Sequence, residues 1–157
     1  MTPEQLAKSG TEHAEQMALF CWAAQQFGRF PELRWLHAIP NAGARGNKVA
    51  AAQLKAEGVK AGVADTFLPV GRWHGEANPS KTYYAGLYIE LKKANGVPSD
   101  VSKEQIEFAK FVTSQSFAWA VAFGYKEASH LIEAYLTCVT PTLTKKQAQV
   151  LALVAAK

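Results

Sequence analysis

Two short apolar stretches, 62–70 and 83–92, constrain the fold more than any other part of the sequence. Both are rich in β-branched and aromatic residues and are bounded by Gly, Pro, Asn or Ser, which predicts two β-strands. Each strand also carries an acid, Asp65 in the first and Glu90 in the second, where a buried strand should be apolar. If the strands pair antiparallel, the start of the first lies beside the end of the second. The pairing therefore predicts that Asp65 and Glu90 meet at one edge of the sheet.

Lys92 belongs to the same predicted cluster. Side chains alternate between the two faces of a strand, so Lys92 shares the face of Glu90 while Leu91 points the other way. Two carboxylates in a partly buried sheet repel each other unless one is protonated or a cation lies between them. Mg²⁺ takes one or two carboxylates together with phosphate oxygens and waters, and a nearby lysine can polarise the attacking water. This pattern indicates metal-assisted phosphodiester hydrolysis; the alternative is an ordinary Glu90–Lys92 ion pair on an exposed strand face.

The length of 157 residues predicts one domain with a substantial core. A net charge of +4 permits nucleic-acid binding without demonstrating it. Cys21 and Cys138 lie far apart in apolar helical patterns, which predicts two buried free thiols. We expect a cytoplasmic protein without a membrane partner, because the sequence has neither a signal-peptide pattern nor an apolar run long enough to cross a bilayer.

The predicted elements alternate along the chain as helix, strand, helix, strand, strand, helix, strand and helix. This order predicts an α/β fold, a mixed β-sheet flanked by helices. Besides the two acid-bearing strands, we expect helices over 11–27, 47–57, 102–114 and 126–135, strands over 33–39 and 117–123, and a polar loop over 71–81. A last apolar helix over 148–156 would pack on the domain or on a second copy. We therefore divide the chain into a domain over 1–140 and a C-terminal helical extension over 141–157.

Several enzyme classes have no support in the sequence. The four histidines show no zinc-ligand spacing. The glycines form neither a phosphate-binding loop nor a dinucleotide-binding turn, and no Gly-x-Ser-x-Gly elbow is present.

Other polar residues could extend the carboxylate cluster. Glu12 and Gln16 lie four residues apart on the first long helix and so share a face, with Glu15 beside them. One of these acids could complete the oxygen ligands of a metal, or could simply favour the helix N-terminus through the dipole. Gln105 stands three residues after Ser102, the spacing of a helix capping box, so it could support the cluster or only cap its helix.

Candidate contacts to a nucleic-acid backbone are polar or basic residues in or near predicted loops. Asn41 and Arg45 follow the predicted strand 33–39. The alternative is an ordinary turn without a binding role, since turns use the same residue types. The complete set of predicted contacts is Asn41, Arg45, Lys48, Arg72 and Lys93.

Taken in order along the chain, these features resemble the virus-type replication-repair nuclease family (VRR-NUC), a branch of the PD-(D/E)XK nuclease superfamily. The resemblance covers about residues 11–136. It differs at Ala64, which replaces the proline that names the superfamily, and after Thr140, where the chain leaves the pattern. The matching segments are Glu12-x-x-x-Gln16, Pro40-Asn41, Gly58 to Asp65, Gly86 to Lys92, Gln105, and Ala128 to Leu136.

The resemblance implies a restriction-endonuclease-like fold and a DNA endonuclease that depends on Mg²⁺ or Mn²⁺. The metal would be surrounded by Glu12, Asp65, Glu90 and the backbone carbonyl of Leu91. Lys92 would position the water nucleophile, so that the implied catalytic group is Asp65, Glu90, Lys92 and Gln105. Gln16 and Glu15 would support the site, and whether Glu12 or Glu15 is the helix ligand stays open.

The resemblance also implies a homodimer that cuts branched or junction DNA during replication, repair or recombination in a bacterial cell or a phage-infected host. Two further interpretations stay open. The chain could be a non-catalytic nucleic-acid-binding or assembly module that keeps the nuclease fold, or a restriction enzyme with sequence preference.

Overall fold

The structure is a computed structural model that describes residues 1–40, 48–75 and 81–156. Short 3₁₀ segments cover Pro31–Trp35 and Pro98–Asp100. The helices are α1 (Pro3–Ala7), α2 (Glu12–Gln25), α3 (Lys48–Ala56), α4 (Lys103–Ser114), α5 (Tyr125–Leu136) and α6 (Lys145–Ala155). The strands are β1 (His37–Ala38), β2 (Thr66–Leu68), β3 (Arg72–His74), β4 (Thr82–Tyr84), β5 (Leu87–Lys92) and β6 (Ala118–Phe123).

The main sheet has the strand order β1-β2-β5-β6. β2 pairs antiparallel with both β1 and β5, whereas β5 and β6 run parallel. β3 and β4 form a separate antiparallel pair. The predicted antiparallel pairing of the two acid-bearing strands is therefore confirmed, and so is a mixed sheet flanked by helices.

Helices cover both faces of the sheet. α2 and α5 pack on one face, where they bury Leu87, Ile89 and Leu91 of β5. α4 and α6 pack against β6 on the other face, where Val121 and Phe123 are buried. Because successive strand residues alternate between faces, Glu90 and Lys92 lie on the α4 side of the sheet.

Some predicted elements differ from the observed ones. The segment 33–39 is not one strand, because Pro31 starts a 3₁₀ turn over Pro31–Trp35 and leaves only His37–Ala38 as strand. The predicted strand 83–92 is divided into β4 and β5, since the chain changes partner where the Ala85 N–H donates to the carbonyl of Ser116 at 2.8 Å. The predicted polar loop 71–81 contains β3, which pairs with β4.

The expectation of two buried cysteines is wrong. Both are free thiols, but Cys21 is half-buried and Cys138 is exposed. Cys138 follows the end of α5, where the chain has left the apolar face of the helix. Within residues 1–40, 48–75 and 81–156, no helix is long and apolar enough to cross a membrane.

The C-terminal helix α6 packs on the edge of the main sheet. Thr144 caps the helix and forms a capping box with Gln147. The buried Gln147 side chain donates from Nε2 to the carbonyl of Val121 in the edge strand β6 at 3.2 Å. Val150 is fully buried in the core formed by α4 and β6. The helix thus covers an edge strand that would otherwise offer its backbone to other chains.

We expect Val150→Asp to destabilise the protein by at least about 2 kcal/mol, because it places an unpaired charge in the core. The matched control is Leu153→Asp on the same helix, since Leu153 is 52% exposed whereas Val150 is 0% exposed. This control should stay within about 0.5 kcal/mol of the parent chain. Urea denaturation measures both; equal effects of the two substitutions would show that α6 does not pack as described.

Candidate active site

Asp65 and Glu90 meet at the edge of the sheet where β2 begins and β5 ends. Thr66 pairs with Ile89, and the same register continued by one residue places Asp65 opposite Glu90. The Asp65 carboxylate accepts a hydrogen bond from the backbone N–H of Leu91 at 2.7 Å. Its own carbonyl accepts from the N–H of Ile39 at 2.8 Å. Asp65 is therefore fixed from both neighbouring strands.

The Glu90 carboxylate is buried, with 1% of the residue exposed. Its Oε1 atom lies 2.9 Å from Nζ of Lys92 and also accepts a hydrogen bond from Nε2 of Gln105. Its Oε2 atom is buried and has no hydrogen-bond partner among the described residues. Buried polar atoms normally find a partner, so this oxygen must either share a proton with the neighbouring Asp65 carboxylate or bind a further group.

Burial raises the pKa of Glu90 to about 8. The charge of Asp65 and a side-chain hydrogen bond between the two acids act in the same direction, while Lys92 opposes them. Burial alone would lower the pKa of Lys92, but the negative charges of Glu90, Glu12 and Asp65 raise it overall. Lys92 is consequently charged at neutral pH, whereas Glu90 gains from a proton or from an additional cation. The cluster holds more negative charge than one lysine balances.

Gln105 has both of the roles that the sequence left open. Its backbone N–H donates to the Ser102 hydroxyl at 3.2 Å, and its Oε1 accepts from the Ser102 N–H at 2.8 Å, which closes a capping box at the start of α4. Its Nε2 donates to Glu90 at the same time. One amide thus joins the N-terminus of α4 to the buried carboxylate.

The two acids in the first turn of α2 are used differently. The exposed Glu12 is one of the charges that raise the pKa of Lys92, so it faces the cluster. Glu15 is 3% exposed and accepts the N–H of Tyr125, the first residue of α5, at 2.9 Å. A carboxylate in this position satisfies a free N–H at a helix N-terminus and suits the dipole. Glu15 thus holds α5 in place, and Glu12 is the better candidate for a metal ligand.

Gln16 does not reach the Glu90 cluster through any described hydrogen bond. It is half-buried on α2 and lines a shallow pocket beside the site. The other residues around this pocket are His13, Met17, Phe20 and Ala38.

The residues of the cluster fit a hard divalent cation. In the part of the chain that the structure describes, no three His, Cys, Asp or Glu side chains stand ready to bind one ion together. Mg²⁺ does not need such a cage, because it is commonly bound by one or two carboxylates and keeps several waters. Asp65 and Glu90 supply two carboxylates, and Oε2 of Glu90, which accepts no hydrogen bond from the described residues, is an oxygen donor of the required kind.

Among the predicted nucleic-acid contacts, only the side chains of Arg72 and Lys93 belong to the described part of the chain. Asn41, Arg45 and the side chain of Lys48 lie outside the described residues. The Arg72 guanidinium donates to Glu32 at 2.6 Å and to the carbonyl of Leu136 at 3.2 Å, so it has a structural role, and its contact with nucleic acid stays a prediction. Lys93 is exposed directly after the site residue Lys92 and remains a candidate contact.

An aromatic row that was not predicted from the sequence lies beside the carboxylates. His37, Phe67 and Tyr88 lie directly opposite one another on β1, β2 and β5. Phe67 is two residues after Asp65, and Tyr88 is two residues before Glu90, so both share the sheet face of the cluster. Alternation along the two acid-bearing strands could have placed Phe67 and Tyr88 on this face, whereas His37 joins the row only through the pairing of β1 with β2.

Comparison with known proteins supports the predicted fold. No protein-family model matches the chain, and no curated protein matches it in sequence. A solved structure described as a VRR_NUC domain protein superposes with a TM-score of 0.62 at 25% sequence identity, covering 85% of this chain and 97% of that one. The chain therefore has a nuclease-like fold of the VRR-NUC type, and the predicted resemblance to that family is confirmed.

We expect the stability of the metal-free protein to fall as the pH rises from 4.5, the ordinary pKa of a glutamate, towards 8, the raised pKa of Glu90. In this range folded Glu90 keeps a proton that the unfolded chain has lost, so stability decreases by at most about 1.4 kcal/mol per pH unit. Glu90→Gln removes the group and should reduce this slope. Urea denaturation in EDTA at about pH 5.5 and about pH 7.5 measures it; identical slopes for the two proteins would contradict the burial of an ionisable Glu90.

Proposed function

We propose that this chain is a DNA endonuclease that depends on Mg²⁺ or Mn²⁺. The observation that carries the proposal is the buried Glu90 carboxylate, which faces Asp65 and has one oxygen without a partner among the described residues. An acid with a strongly shifted pKa beside specific charged neighbours is a common property of functional sites. The nuclease-like fold supports the assignment independently.

The residues have distinct parts in the proposed reaction. Asp65, Glu90, the backbone carbonyl of Leu91 and Glu12 would hold the ion. A bound divalent ion supplies Lewis-acid activation of water and neutralises charge on the phosphate. Lys92 offers a charged Nζ beside Glu90 to orient the water nucleophile and to stabilise the negative charge that develops on the phosphate. Gln105 is a positioning residue, because its hydrogen bond restrains the Glu90 carboxylate.

Branched DNA is the substrate that we propose, cut in the course of replication, repair or recombination in a bacterial cell or a phage-infected host. The net charge of +4 favours a polyanionic partner. A homodimer would bring two sites to one junction, so that both strands could be cut. The resemblance to VRR-NUC proteins supports this form of the proposal.

A non-catalytic DNA-binding module is the second candidate. One observation favours it: no group of three potential ligands stands ready for a metal where the structure describes the chain. In that case the shifted pKa of Glu90 would be satisfied by a proton, and the protein would bind DNA equally well with and without divalent ions.

We expect Glu90→Gln and Lys92→Met each to reduce metal-dependent cleavage by about 100-fold or more, because each removes a charge that acts in the transition state. Lys92→Met keeps the long aliphatic stem of the buried lysine. Lys145→Ala, an exposed lysine on α6, is the matched control and should retain activity. The assay incubates plasmid, linear duplex and four-way junction DNA with Mg²⁺, Mn²⁺ or EDTA.

Each outcome of this assay separates the candidate functions. Metal-dependent cutting of the junction that both site variants lose supports the proposal. Binding without cutting, unaffected by the metal, favours the non-catalytic module, and discrete bands from linear duplex favour a restriction enzyme. Retained activity in either folded site variant contradicts the mechanism, and a strictly monomeric protein in gel filtration contradicts the dimer.

A further inference from the structure

We propose that the aromatic row formed by His37, Phe67 and Tyr88 is a stacking surface for an unpaired nucleobase next to the cleaved phosphodiester. This inference rests on the proposed function and names its substrate class, which is DNA with unpaired nucleotides at a flap or a branch point. Aromatic side chains bind bases of any sequence in this way, because every base has a π-face.

The position of the row relative to the carboxylates is fixed by the strand register. His37 pairs with Phe67, and Phe67 pairs with Tyr88. Asp65 and Glu90 form the next row on the same sheet face, two residues further along each strand. Two strand residues correspond to about 7 Å. A DNA strand whose phosphate lies at the carboxylates would therefore have the row within about 7 Å of that phosphate, measured along the strands.

The rings are held in place by their own packing. Phe67 stacks on Tyr88 with ring centroids 4.3 Å apart and planes inclined at 25°. The Phe67 ring also occupies the space above Gly86, where an added Cβ would come within 2.6 Å of it. On the inner side, Tyr88 meets Phe117 and Phe108 edge to face. A surface that is ordered before binding loses little conformational entropy when a base stacks on it.

His37 forms the exposed outer end of the row on strand β1. Its ring meets Phe67 at 85° with centroids 5.7 Å apart, so Phe67 does not cover it by stacking. Its Nδ1 lies 2.9 Å from the carbonyl of Trp35, which restrains the ring orientation. An exposed, oriented ring at the end of an aromatic row is suited to receive one more flat ring.

The adjacent site determines what can occupy this surface. A second copy of the chain that covered the row would also cover Asp65 and Glu90, about 7 Å away along the strands, and would exclude the substrate. The exposed Lys93 beside the site favours a polyanion over an apolar protein segment. The occupant that satisfies both conditions is the DNA substrate itself.

The test compares His37→Ala and His37→Tyr in binding to two labelled DNAs, a single-strand flap and a linear duplex. Fluorescence anisotropy is measured in EDTA, so that metal-dependent cutting is prevented. We expect His37→Ala to weaken flap binding by about tenfold, equivalent to about 1.4 kcal/mol, and His37→Tyr to restore it. Duplex binding should change less than about twofold, and the salt dependence should be unchanged, because stacking releases no counterions.

Trp73→Ala is the matched control, because Trp73 is a 59% exposed aromatic residue on β3, beyond the opposite end of β2 from Asp65. The proposal is overturned if the parent protein does not bind the flap, or if His37→Ala binds the flap as tightly as the parent. It is also overturned if Trp73→Ala weakens flap binding and His37→Ala does not, or if His37→Ala reduces the salt dependence of flap binding. Cleavage is assayed separately, so His37-dependent flap binding without cutting would refute the nuclease and leave the stacking surface intact. Metal-dependent cutting that His37→Ala leaves unchanged would support the nuclease and refute the stacking surface.

Discussion

The burial of the Glu90 carboxylate is the interaction on which the site and much of its surroundings depend. A charge taken out of water costs several kcal/mol unless it is paired and hydrogen-bonded. Lys92 supplies a counter-charge from the same strand, and Gln105 supplies a hydrogen bond from the start of α4. The start of α4 is therefore tied to the sheet at the acid, so the chemistry and the packing of this edge cannot be changed separately.

The sequence predicted this cluster because its signals are local. Alternation along a strand places Glu90 and Lys92 on one face, and antiparallel pairing then brings Asp65 beside them. The Ser102 and Gln105 spacing defines a capping box without any knowledge of the fold. Both interpretations of Gln105 are correct, because a helix that starts beside a buried acid can use one side chain for both purposes.

The remaining features depend on partners that are distant in sequence. Glu12 and Glu15 cannot be told apart on α2 alone, since Glu15 is identified only by the N-terminus of α5 at Tyr125. The sequence around Arg72 shows only a basic residue in a polar segment. Its hydrogen bonds to Glu32 and to the carbonyl of Leu136 at the end of α5 join residues that are far apart in the chain. The aromatic row also depends on pairing between segments that are distant in sequence. Strand β1 is only two residues long, so nothing in its local sequence assigns His37 to the row before it pairs with Phe67.

The fold leaves the charge of this edge unbalanced, and that imbalance argues for a ligand. Two carboxylates brought together in a partly buried site repel each other, so stability alone gives no reason to keep Glu90 and Asp65 side by side. In the present arrangement Oε2 of Glu90 accepts no hydrogen bond from the described residues and is held beside the carboxylate of Asp65. A bound cation, as we propose, would satisfy both acids and lower the pKa of Glu90 at once, and so would make this destabilising arrangement favourable.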